Sequence, residues 1–94
     1  MTMQDLPIQS GDVPVFDCHV IISGPNEDGQ LSGVVSTLPE VAATASNERD
    51  LLRKISTDFK ATVQRYTSEK RTIPWQPARK PEAGESQRWI PVHL

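Results

Sequence analysis

The chain closes on RWIPVHL, Arg88 to Leu94, and the placement of this stretch settles the topology of what precedes it. Alternation puts Ile90, Val92 and Leu94 on one face and Trp89, Pro91 and His93 on the other, the period-two pattern of a half-buried strand. Pro91 has no N–H to give a ladder, so this strand belongs at a sheet edge. It follows TIPWQPARKPEAGESQ (Thr72–Gln87), a segment too polar and proline-broken for a regular element. Ile73 and Trp75 are expected to pin that segment to the body, leaving residues 76–87 as a mobile loop.

Upstream, VFDCHVII (Val15–Ile22) is short, β-branched and aromatic, and it stops at the dense turn signal SGPNEDG. QLSGVVSTL (Gln30–Leu38) reads as its hairpin partner. After Pro39, EVAATA (Glu40–Ala45) reads as a short third strand whose small residues leave room for close packing. SNERDLLRKISTDFKATVQRYTSE (Ser46–Glu69) is an amphipathic helix. Asn47 suits its N-cap, with Glu48 and Asp50 in the first turn where the helix dipole favours acids. Leu52, Ile55, Phe59, Val63 and Tyr66 form the apolar stripe, with Leu51 beside it. Pro74 forbids further helix.

The predicted fold is α+β: strand-strand-strand-helix-strand, a four-stranded mixed sheet in the order 3-2-1-4 with one helix packed on one face. A right-handed helical crossover would lay the fourth strand parallel to the first. Residues 14–94 make one domain and residues 1–13 a flexible lead-in. On the first strand Phe16, Cys18, Val20 and Ile22 face the helix, which makes Cys18 a buried small hydrophobe. Asp17, His19, Ile21, Trp89 and His93 are expected together on the opposite face. With no second helix to cover it, that face is the candidate interface.

Composition narrows the function classes. Ninety-four residues allow one domain. The single cysteine cannot form an internal disulfide, and residues 1–14 carry two acids and no base, unlike a secretory signal. No apolar run approaches a membrane span. A cytoplasmic protein is expected, most simply a bacterial one. Residues 1–48 hold seven acids and no Lys or Arg, whereas residues 49–94 hold ten bases against five acids. This split suits two differently charged solvated faces.

The stretch LPEVAATASNERDLL (Leu38–Leu52) resembles the third strand and helix start of the N-terminal domain of HicB-type antitoxins. Members of that family typically read L-P-G-x-x-x-x-G-x-T-x-x-E-A-L there. Leu38 and Pro39 match directly. Asn47 stands for the capping Thr, Asp50 for the Glu, and Leu52 takes the core position. Glu40 and Ala45 replace the two usual glycines. The resemblance implies a truncated ribonuclease-H-like fold with the fourth strand beside the first. It also implies a domain that binds a small basic RNA-cleaving toxin protein. The DNA-binding module that such antitoxins usually carry has no counterpart in these residues.

The expected function is therefore non-enzymatic protein–protein interaction by a HicB-like domain. No cofactor is expected, and the expected assembly is a homodimer. Two alternatives come from other classes. Asp17, His19 and His93 are weak candidate metal ligands for a metal-dependent RNA-processing or hydrolytic enzyme. Arg49, Arg53, Lys60, Arg65, Lys70, Arg71, Arg79 and Lys80 could serve an RNA-binding module, although a solvated helix face plus a basic loop accounts for them without nucleic acid.

Overall fold

A computed structural model describes residues 15–94; the lead-in assigned to residues 1–13 lies outside them. The elements are β1 (Val15–Ser23), β2 (Leu31–Val35), β3 (Ala42–Ala45), α1 (Glu48–Ser68) and β4 (Ser86–His93). They form one sheet in the order β3-β2-β1-β4 with α1 on one face. The α+β class, the strand order and the single helix are those read from the sequence.

The direction of β4 differs. It pairs antiparallel with β1, Val15 opposite His93 and Ile22 opposite Ser86. The sheet is therefore antiparallel throughout, and not mixed. The cause lies in residues 69–85. At 1.5 Å per residue, α1 runs roughly 30 Å from the β3 exit towards the Val15 end of the sheet. There the chain is caught. Trp75 stacks on Phe16 and lies against Phe59, and the Gln76 N–H donates to Thr37 O at 2.9 Å. The chain then travels back, so that Glu85 lies with Ser23, Ser32 and Thr44 at the opposite end. Residues 76–85 can span about 30 Å when extended, the length of β1. A strand entered from that end must run against β1. It also starts at Ser86, so Ser86 and Gln87 belong to the sheet and not to the loop. Pro91 does sit on an edge strand.

β2 ends at Val35, short of the expected Leu38, and β3 begins at Ala42. Between them the chain coils through Leu38 N–H to Val35 O and Val41 N–H to Leu38 O, at 3.1 and 3.0 Å. This turn drives Leu38 and Val41 into the core.

The core lies between the sheet and α1. Cys18, Val20, Ile22 and Val35 from the sheet meet Leu51, Ile55, Phe59 and Val63 from the helix, all buried. Leu51, and not Leu52, fills the innermost helix position; Leu52 is half-buried. Gly33 brings the layers close. A Cβ there would fall 2.5 Å from Ile55 Cδ1 and 3.2 Å from Leu51 Cδ2.

Both helix ends are capped. Asn47 Oδ1 accepts from the Asp50 N–H at 2.8 Å. At the other end the Arg71 N–H reaches Tyr66 O and the Lys70 N–H reaches Thr67 O, a Schellman closure with Lys70 left-handed at φ 56. Arg88 on β4 holds Glu48 through two bonds, 2.9 and 3.0 Å, tying the edge strand to the helix start.

Candidate interaction surface

The sheet face away from α1 carries the odd-numbered side chains of β1 and β4. Register places Val15 opposite His93, Asp17 opposite Pro91, His19 opposite Trp89 and Ile21 opposite Gln87. The five residues expected on this face thus share it, but not on equal terms.

His19 and Ile21 are 1% and 2% exposed, so neither can offer contact area as the expected interface required. His19 is enclosed by polar partners and one ring. Its Nε2 lies 2.7 Å from Gln87 Oε1, and its Nδ1 lies 2.6 Å from Ser36 Oγ. An amide oxygen can only accept, so Nε2 donates to Gln87, and Nδ1 and the Ser36 hydroxyl share the second hydrogen bond. Trp89 stacks over the imidazole with centroids 4.2 Å apart. Both ring nitrogens are thereby satisfied, as a buried imidazole requires. Sequence reasoning missed Ser36 and Gln87, which lie far from His19 in the chain; only the β1–β4 register brings Gln87 near.

The candidate ligands Asp17, His19 and His93 do not converge. His19 and His93 stand four register positions apart, about 13 Å at the rise of a strand, too far to share one ion. Among the described residues no group of three His, Cys, Asp or Glu could hold a metal ion. With β4 parallel the two histidines could have been neighbours; the antiparallel register separates them.

What remains exposed is a strip along the β1–β4 edge. Val15 is 52% exposed and Trp89 57%. Asp17, Pro91 and His93 are exposed between and beside them. At its Val15 end the strip meets Trp75, 43% exposed. There Phe16, Asp17, Thr37, Trp75 and Gln76 line a slot of about 300 Å³. Thr37 Oγ1 is buried in its wall with no hydrogen-bond partner. Further along, Ile21, Ser32, Val34, Ala42 and Thr44 floor a shallow depression of about 470 Å³, with Glu85 at its rim. Hydrogen bonds from Arg79 and the Glu82 N–H hold the Glu85 carboxyl below its ordinary range.

The basic set is half neutralised. Arg53, Arg65, Arg71 and Arg79 pair with Asp50, Glu40, Glu69 and Glu85. Glu40–Arg65 and Glu48–Arg88 join the acidic half of the sequence to the basic half. Arg65 and Arg71 also flank the Tyr66 ring, 5.4 and 4.9 Å from its centroid. The Tyr66 hydroxyl donates to Glu40 at 2.7 Å, which raises its pKa above the ordinary value. Arg49, Lys60, Lys70 and Lys80 of the set enter no ion pair among the described residues.

No family model, curated protein or solved structure matches the chain. No helix among the described residues is long and apolar enough to cross a membrane.

Proposed function

We propose that this is a non-enzymatic protein–protein interaction domain that acts in the cytoplasm through the β1–β4 strip. The observation that carries the reading is the exposure of Trp89 and Val15 on the sheet face away from α1, with Trp75 exposed beside Phe16 at the Val15 end of the sheet. Tryptophan is a large amphipathic side chain and a frequent anchor of interfaces. Here Asp17 and His93 supply polar groups beside the exposed Val15, Trp89 and Pro91. The resemblance of Leu38–Leu52 to HicB-type antitoxins supports a small basic RNA-cleaving toxin protein as the partner class. The exposed β4 edge also offers a surface for homodimer formation, with Pro91 interrupting any added ladder.

Capture by the tagged full chain from its native cells, with mass spectrometry of the retained protein, tests the reading. A small basic protein in stoichiometric amount is expected, and its retention falls with Trp89→Ala and is unchanged by chelator. An empty column from a monomeric bait refutes it.

A further inference from the structure

We propose that Lys54 guards the β3 edge of the sheet against pairing with the β3 edge of a second copy of this chain. This edge lies across the sheet from the β1–β4 strip, and its behaviour is independent of what that strip binds.

β3 is an edge strand, paired on one side only, with β2. The Val35 N–H donates to Val41 O at 3.0 Å, which makes Val35 and Val41 a hydrogen-bonded pair. Alternation along the ladder then makes Gly33–Ala43 and Leu31–Ala45 bonded pairs as well. Ala42 and Thr44 fall between them, so their N–H and C=O groups point out from the sheet. Both residues are exposed. A row of such groups is a template for another strand. The β4 edge is interrupted by Pro91, whereas Ala42–Ala45 holds no proline.

Among the described residues one group meets this edge. Lys54, exposed on α1, donates from its ammonium to Thr44 O at 2.9 Å. It enters no ion pair among the described residues, so its charge is free for the contact.

The edge is complementary to itself. A two-fold axis through Ala43 sets Ala42 of one copy opposite Thr44 of the other, and each outward N–H then meets an outward C=O. The side chains at the join are alanine and threonine, too small to hold the strands apart. Lys54 stands in the way. Its head sits beyond the edge, on the acceptor that the incoming Ala42 N–H needs. A second strand must approach to about 4.8 Å. It therefore displaces that head in each copy, or gathers two ammonium groups beside the axis. Lysine on a strand edge is a recurrent device against such pairing.

Sedimentation of the full chain across a range of concentrations compares wild type with Lys54→Met, which keeps the long stem and the helix propensity and loses the donor. Whatever state wild type adopts, Lys54→Met should associate further, about tenfold more tightly, the worth of one displaced hydrogen bond in each copy. Amide hydrogen exchange locates the contact. The Ala42 and Thr44 N–H groups should exchange freely in wild type and be protected in Lys54→Met, with the Ala43 N–H protected in both. Association of Lys54→Met no tighter than that of wild type overturns the proposal. So does tighter association that leaves the Ala42 and Thr44 amides unprotected, or protection of those two amides in a wild-type assembly.

Discussion

Replacing Gly33 by alanine tests how closely α1 is seated on the sheet. The new methyl would fall 2.5 Å from Ile55 Cδ1 and 3.2 and 3.3 Å from the two Leu51 methyls. Ile55 and Leu51 are fully buried, so neither can swing aside. Overpacking of this kind costs about 1–3 kcal/mol. The loss of unfolded-chain freedom on going from glycine to alanine returns about 0.4–1 kcal/mol. A net loss of about 1–2 kcal/mol follows, or a fall in Tm of roughly 5–15 °C for a domain of this size. Urea titration followed by helical circular dichroism reads it directly. A double-mutant cycle isolates the contact. Ile55→Val deletes the nearest methyl at a cost of about 0.5–1.5 kcal/mol alone. If the geometry is right, Gly33→Ala should cost less than half as much in the Ile55→Val background as in wild type. Strict additivity of the two changes, or a Gly33→Ala protein as stable as wild type, would refute the close seating of Ile55 over Gly33.

Three further outcomes follow from local structure. Lys70 holds a left-handed conformation at the helix C-terminus, so Lys70→Gly should stabilise by up to about 1 kcal/mol in the same titration; a loss would mean the Schellman closure does not form. Thr37 Oγ1 is buried without a partner, and Thr37→Val should raise stability by about 1 kcal/mol, whereas a drop would show that the hydroxyl is satisfied in solution. Burial pushes the Cys18 thiol up from 9.0 to about 12. The folded state thus holds its proton where the unfolded chain loses it, and this contribution is complete below pH 9 and is lost as pH rises towards 12. Cys18→Ala should flatten the alkaline fall in stability, measured by denaturation from pH 8 to 11; an unchanged slope would place the thiol in water.

Local patterns carry the reading of this chain as far as neighbouring residues constrain one another. Val15–Ile22 alternates cleanly, so its helix-facing set of Cys18, Val20 and Ile22 is legible in the residues themselves. Asn47 capping, the stripe from Ile55 to Tyr66 and the edge position of Pro91 are legible for the same reason: each depends on chemistry within a few residues. The choice of Leu51 over Leu52 is not, because both lie near the stripe and only the approach angle of the helix separates them.

Residues 69–85 carry no periodicity, and there local reading ends. Whether they cross once or double back depends on Trp75 docking against Phe16 and Phe59, a contact between residues far apart in sequence. That docking reverses β4, and the reversal decides the site. It sets Gln87 beside His19 and Trp89 over it, burying a histidine that alternation alone would have left on the surface. It also carries His93 away from His19, so that no metal group forms from them. Which side chains share each face of the sheet was written into the residues, because strand alternation is a local property of the backbone. Which of those side chains stay in contact with water was settled by the fold, because burial depends on where a long connection returns the chain.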